Sequence, residues 1–146
     1  MAIWFSRPTL ETLQQHATGT LIEHLGIEYL EIGDDFLRAR LPVDVRTVQP
    51  FGILHGGASV ALAETLGSAA ANWCVDSADK LCVGLDINAN HVRAARSGYV
   101  IGTARPVHLG SSTQVWEIRI ENEQAQLVCI ARLTMAVLKR SSLPQG

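Results

Sequence analysis

The sequence predicts an α+β domain in which a single antiparallel sheet wraps around one long helix. Three observations lead there. Residues 56–75, GGASVALAETLGSAAANWCV, form the only long helix candidate, two short strands precede it, and four strands with period-two alternation follow it. A chain of 146 residues is near the usual size of one domain, and no internal repeat, linker or low-complexity tract divides it, so residues 1–146 are read as one unit.

Each element has a local cause. Thr9–His16 and Thr20–Leu25 carry helical apolar spacing, with Leu10 and Leu13 in the first and Leu21, Ile22 and Leu25 in the second. Thr20 and Glu23 match a capping box. Gly26 ends the second helix, and Ile27–Ile32 and Phe36–Val43 then read as two strands joined by a hairpin-type turn at Gly33-Asp34-Asp35. Asp44–Leu54, with Pro50 and Gly52, loses periodicity and is expected to be a loop. The long helix is encircled by Ala58, Ala61, Ala63, Gly67, Ala69, Ala70 and Ala71, which suits close approach on most sides. In residues 83–91 the odd positions Val83, Leu85, Ile87 and Ala89 are expected on one face, with Asp86, Asn88 and Asn90 on the other. Tyr99–Arg105, Gln114–Glu121 and Gln126–Leu138 complete the strands, and residues 141–146 read as a loose tail.

Composition excludes several classes. Twelve Lys and Arg against fourteen Asp and Glu give a formal charge of −2, without the basic footprint of a nucleic-acid binder. Cys74, Cys82 and Cys129 are odd in number and form no CxxC pair, so they are expected to be buried, reduced thiols of a cytoplasmic protein rather than a disulfide framework or zinc site. The four-residue apolar run at the N-terminus is too short for a signal-peptide core, and no stretch is suited to spanning a membrane. No metal is expected.

The chemistry concentrates at the start and middle of the long helix. His55-Gly56-Gly57 lies where the loop turns into the helix, so free N–H groups and the positive helix end point outward and could polarise a carbonyl oxygen. Two adjacent glycines by themselves suit a plain tight turn better, and a lone histidine beside a turn is more often structural than catalytic. Glu64 is the only charged residue of the helix, and its helical neighbours Gly57, Val60, Ala61, Ser68 and Ala71 include no cation. A carboxylate buried without a partner is costly, so Glu64 is a site residue, a solvent-facing one, or the partner of an Arg from a strand. Ser68, one turn on, could hydrogen-bond it. Glu64 lies about 11–12 Å along the axis from the helix start. One carbonyl cannot easily reach both, and a symmetric dimer in which the helix start of one subunit faces Glu64 of the other resolves this.

Three segments, Pro42–Ser68 (PVDVRTVQPFGILHGGASVALAETLGS), Val83–Arg93 (VGLDINANHVR) and His108–Trp116 (HLGSSTQVW), resemble the hotdog-fold acyl-CoA thioesterases. The resemblance is to the PaaI-like, 4-hydroxybenzoyl-CoA thioesterase branch, and within it most to the type acting on 1,4-dihydroxy-2-naphthoyl-CoA in menaquinone biosynthesis. It implies a hotdog fold and hydrolysis of a thioester. It further implies Glu64 as catalytic carboxylate, the Gly56 N–H as donor to the thioester oxygen, Gln49 and His55 as polar groups around the thioester and attacking water, and Ser68 as a supporting hydroxyl. The CoA moiety is then expected near Gly84, near His91, Val92, Arg93 and Ala94, and near His108, Leu109, Gly110, Ser111, Ser112 and Thr113. Arg93 and Arg96 suit phosphate, and Ser111, Ser112 and Thr113 supply hydroxyl donors.

No cofactor is expected beyond the CoA of the substrate. The partners expected are the small-molecule acyl-CoA and further copies of the chain, with a homodimer as minimal unit and a homotetramer built from it. Trp73 and Phe51 could form a slot for an aromatic acyl group. The residues Ala69, Ala70, Asn72 and Trp73 depart from the menaquinone type, which leaves the acyl group open. Other readings are a non-enzymatic acyl-CoA-binding hotdog protein, a hotdog dehydratase, and a thioesterase for longer acyl chains or for aryl-carrier-protein thioesters.

Overall fold

The computed structural model describes residues 1–144. Its axis is α3 (Gly56–Trp73), which begins where the His55 Nδ1 accepts the Gly57 N–H at 2.8 Å as an N-cap. Ala58, Ser59, Leu62, Ala63, Leu66, Gly67, Ala70 and Ala71 are buried, and they recur at i, i+4 intervals along one face. That face packs on the sheet. The opposite face is not closely packed within one chain, contrary to the approach on most sides that its ring of small side chains suggests; it lines cavities beneath the two short N-terminal helices and the loop before α3.

The sheet has six strands: β1 (Glu28–Ile32), β2 (Leu37–Pro42), β3 (Lys80–His91), β4 (Tyr99–Leu109), β5 (Thr113–Asn122) and β6 (Leu127–Lys139). All neighbours are antiparallel, in the order β1-β2-β4-β5-β6-β3. Strands β2 to β6 all touch α3, so the sheet wraps around the helix as the alternation predicts. The core between them is built from Leu37, Ala39 and Leu41 of β2, Trp116, Ile118 and Ile120 of β5, and Ala131, Leu133 and Met135 of β6. Gly102 on β4 makes room for the helix, since a Cβ there would lie 2.7 Å from the Leu66 Cδ1.

Strand β3 departs from the expected alternation. A bulge between Gly84 and Asp86 leaves Leu85 without a ladder partner and reverses the phase of the side chains. Cys82 and Gly84 therefore face the helix before it, paired with Val137 and Met135, and Ile87 and Ala89 after it, paired with Leu133 and Ala131. Val83 and Leu85, expected inside with Ile87 and Ala89, are 37% and 62% exposed. The strand also begins at Lys80 rather than 83, β4 runs four residues past Arg105, and Arg140–Ser142 form a 3-10 turn where a loose tail was expected; residues 145–146 of that tail lie outside the described residues.

The helices α1 (Leu10–Ala17) and α2 (Leu21–His24) lie near the uncovered face of α3. The capping box at α2 is displaced by one residue: Thr20 Oγ1 accepts from the Ile22 N–H, and the Glu23 carboxylate takes the Gly19 N–H. Asp44–Leu54 is an ordered loop despite its lack of period. Buried Thr47 organises it by donating to the Pro42 carbonyl at 2.6 Å and accepting the Asp44 N–H, while Val48 and Leu54 form an isolated bridge. The three cysteines are unpaired thiols, Cys82 and Cys129 buried and Cys74 partly so. No helix among the described residues is long and apolar enough to cross a membrane.

Candidate active site

Glu64 projects from the uncovered face of α3 into a cavity of about 650 Å³. It is exposed, one of the alternatives the sequence leaves open, because α1 and α2 leave a cavity over this face of α3; among the described residues it makes no ion pair. Its carboxylate instead lies against the backbone of β3, where a Cβ on Gly84 would be 2.9 Å from Glu64 Oε1. A glycine at 84 thus permits the carboxylate to sit on the strand. Ser68, Thr65, Asn72 and Trp73 line the same cavity, but no hydrogen bond joins Ser68 to Glu64. Trp73 is stacked on His16 of α1, with ring centroids 6.3 Å apart and planes 15° from parallel. His16 was not singled out by sequence, because its partner is distant along the chain. Phe51, paired with Trp73 in the expected slot, is 87% exposed on the loop before α3 and does not line this cavity.

A second cavity, of about 430 Å³, holds Gly56, Gln49, His91 and Arg93. The Gly56 N–H has no acceptor among the described residues, since the His55 side chain takes the neighbouring Gly57 N–H and the His55 carbonyl takes those of Ala58 and Ser59. Such an N–H is free to donate to an oxygen brought into the cavity. The His91 ring closes one side, with its Nε2 2.9 Å from where a Cβ on Gly56 would stand. Gln49 is held by the loop: its N–H donates to the Ile53 carbonyl and its side-chain oxygen accepts the Phe51 N–H. His55 is the helix cap, and with Nδ1 accepting from Gly57 its Nε2 carries the proton.

The predicted site residues therefore fall in two groups within one chain. Glu64, Ser68 and Gly84 lie at one place, and Gly56, Gln49, His91, Val92, Arg93 and Ala94 at another. Of the remaining candidates, His55 lines a third cavity with Arg46 and Ala61, and His108–Thr113 span the end of β4, the turn at Gly110, Ser111 and Ser112 and the start of β5, closed by the Gly110 N–H on the Thr113 carbonyl and by the Val137 N–H on that of Ser112. Thr113 pairs with Ala136, which also pairs with Val83, so this turn lies toward the start of β3 while His91 ends it. At about 3.3 Å per residue those places are some 20 Å apart. Gly84, expected beside CoA, sits under Glu64. Arg93 and Arg96 are exposed and in no ion pair among the described residues. Among those residues no cluster of His, Cys, Asp or Glu has the arrangement to hold a metal ion.

Comparison with known proteins gives this geometry its family. Residues 51–129 match the thioesterase superfamily, a span that includes Gly56, Glu64, Gly84 and His91. The 1,4-dihydroxy-2-naphthoyl-CoA hydrolase of Escherichia coli is 53% identical over 93% of this chain and 99% of its own. The proofreading thioesterase EntH of Cronobacter turicensis is also 53% identical, over 93% of this chain and 98% of its own. The crystal structure of a thioesterase from Haemophilus influenzae superposes with a TM-score of 0.91 at 50% identity, covering 94% of this chain and 95% of that one. Two relatives with different named roles are equally similar, so overall identity does not choose the acyl group. With its six-stranded antiparallel sheet around one long helix, the chain belongs to the hotdog-fold thioesterase superfamily and is a thioester hydrolase.

Proposed function

We propose that the protein hydrolyses aromatic acyl-CoA thioesters to the free acid and CoA, in a homodimer whose two sites each combine Glu64 of one subunit with Gly56 of the other. The observation that carries this reading is the division of the catalytic groups. Glu64 bears on Gly84 and Gly56 on His91, two positions of the same strand, and that strand is a free edge of the sheet. Gly56 and Glu64 are eight residues apart on α3, about 12 Å of helix rise, too far for one thioester carbonyl.

A second copy closes the gap. Strand β3 is twelve residues long, with unpaired edge groups that favour pairing. In an antiparallel two-fold pairing, Gly84 can lie opposite the partner subunit's His91, which brings Glu64 toward the Gly56 N–H of the other chain. On the β3–β6 ladder, Gly84 pairs with Met135, Asn88 with Arg132 and His91 with Cys129, so Asn88 is three ladder positions from each. The two-fold axis then passes at Asn88. Helix-facing residues meet helix-facing residues in this register only because the bulge takes out Leu85. The same operation carries the β4–β5 turn of one chain toward Arg93 of the other, joining the two expected CoA-binding groups. A tetramer of such dimers is part of the proposal.

In the reaction, the Gly56 N–H hydrogen-bonds the thioester oxygen and stabilises the charge that develops there. Glu64 either takes a proton from water as it attacks the carbonyl, or attacks it directly to give a mixed anhydride that water then opens; the C–S bond breaks and CoA leaves as the thiol. Gln49 and His55 orient the thioester and water, Ser68 supports the carboxylate, and no metal or redox cofactor takes part. Arg93 and Arg96 bind phosphates of CoA. The cavity beside Glu64, walled by Val60, Ala61, Ala69 and the Trp73–His16 stack, suits a flat ring. The test is thiol release from benzoyl-CoA and palmitoyl-CoA. A higher kcat/KM for the aromatic thioester is expected, and the reverse order would overturn the aromatic assignment while leaving thioester hydrolysis standing.

A further inference from the structure

The free edge of β3 is not uniformly open. At Cys82 it is occupied from within the chain: the Asn72 Oδ1 accepts the Cys82 N–H at 2.8 Å, and the Asn72 Nδ2 donates to the Cys82 carbonyl at 3.1 Å and to the Ser68 carbonyl at 2.9 Å. A side-chain amide from the last turn of α3 thus imitates one residue of a neighbouring strand. Because antiparallel ladders direct alternate residues to alternate sides, the outward groups at Cys82 imply that Gly84, Ile87, Ala89 and His91 also present their N–H and carbonyl groups to the edge. Of these five, Cys82 alone is filled by a side chain among the described residues.

We infer that Asn72 is a register stop: by occupying the edge groups of Cys82 it ends the pairing segment of β3 at Gly84 and fixes the register in which a second copy of this chain docks. The inference rests on the edge-paired dimer proposed above. In that register the pairs are Gly84 with the partner's His91 and Ile87 with the partner's Ala89, and Cys82 lies beyond the end of the partner's strand. Asn72 then satisfies two edge groups that would otherwise have no partner. Without it, a slip by one residue pair becomes favourable, because Cys82 can pair with the partner's His91, Gly84 with the partner's Ala89, and the axis moves from Asn88 to Ile87. Both registers keep helix-facing residues together, so the hydrophobic pattern does not discriminate between them. The slip would draw the Gly56 N–H away from Glu64 of the other chain. Asn72 is in this sense a positioning residue, acting on the reaction through the strand.

Disulfide trapping reads the register directly. Single variants Asn88→Cys and Ile87→Cys are oxidised under mild conditions with Asn72 present, and again in Asn72→Ala and Asn72→Asp backgrounds. With Asn72 present, Asn88→Cys should form covalent dimer at least tenfold faster than Ile87→Cys, since directly opposed residues at the axis meet disulfide geometry. In Asn72→Ala the ratio should fall at least tenfold and kcat should drop with little change in KM. Asn72→Asp, which keeps the acceptor for the Cys82 N–H and loses the donor, should move the ratio in the same direction by less, and it serves where the alanine variant does not fold. If Asn88→Cys traps efficiently and the ratio is unchanged in the folded Asn72 variants, the register stop is refuted while the edge-paired dimer stands. If Asn88→Cys forms no covalent dimer in active protein with Asn72 intact, the edge-paired dimer itself fails and the register stop with it.

Discussion

Gly84→Ala separates the geometry of Glu64 from the stability of the fold. A methyl group at 84 would stand 2.9 Å from Glu64 Oε1, and ordinary contact begins near 3.4 Å, so the carboxylate must retreat by about 0.5 Å. The atom displaced is the end of a flexible, exposed side chain, and the other neighbour, Met135 Sδ, is at 4.0 Å. Folding should therefore be unharmed or slightly favoured, as replacing glycine at a compatible backbone position reduces unfolded-state entropy by about 0.4–1 kcal/mol. Catalysis is less tolerant: a 1 Å misplacement costs about 10²-fold, so half that distance should lower kcat by about tenfold. The control is Gly102→Ala, whose methyl group meets buried Leu66 at 2.7 Å and Leu62 at 3.2 Å. Overpacking there should cost about 1–3 kcal/mol with several degrees of Tm. Thermal melts and steady-state thiol release on both variants make the assay. A Gly84→Ala protein with undiminished kcat, or with the Tm loss expected of Gly102→Ala, would refute the placement of the working carboxylate on β3.

Other perturbations test neighbouring steps. Glu64→Gln should fold with unchanged Tm, because Glu64 is exposed and in no ion pair among the described residues, while kcat falls by about 10²–10⁴; activity within a few-fold of the parent would remove Glu64 from the chemistry. Gln114→Leu leaves the buried Trp116 Nε1–H without the oxygen that now accepts it at 2.9 Å and should destabilise by about 1–3 kcal/mol, read by urea unfolding. Burial pushes the Cys74 thiol, with nearby Cys82 adding to it, and the Tyr29 phenol up to about 12 from 9.0 and 10.0, so the folded state keeps protons that the unfolded chain loses. Their contribution is complete below pH 9 and disappears as pH rises toward 12; urea unfolding at stepped pH should show that decline, and a flat profile would contradict it.

Much of this was legible because periodicity reports packing. The alternation in β6, with Cys129, Ala131, Leu133 and Met135 inside, and the lone long helix define the wrapped sheet. What periodicity cannot report is a change of phase: the bulge at Leu85 turns Val83 outward and Gly84 inward, and a glycine carries no hydrophobic signal. The site was legible as a set of residues and not as a place. Glu64 attracts attention as a charge without a helical partner, yet its exposure depends on what leaves that helix face uncovered, which no local pattern encodes. Likewise His16 meets Trp73, and Asn72 meets Cys82, through the tertiary fold alone.

The shared site is the central claim, and subunit complementation tests it most directly. Gly56 is the first residue of α3 and His55 before it is extended at φ −67°, ψ 132°, so the backbone accepts Gly56→Pro, which removes the N–H donor; its Cβ would stand 2.9 Å from the His91 Nε2, and the exposed His91 side chain of that chain must move aside. Heterodimers of a Glu64→Gln chain and a Gly56→Pro chain, isolated with two different affinity tags, contain one site with both groups intact and one with neither. Each homodimer should be inactive, and the heterodimer should recover about half the parent activity per dimer. Verified heterodimers that remain as inactive as the two homodimers would show that each chain carries its own complete site.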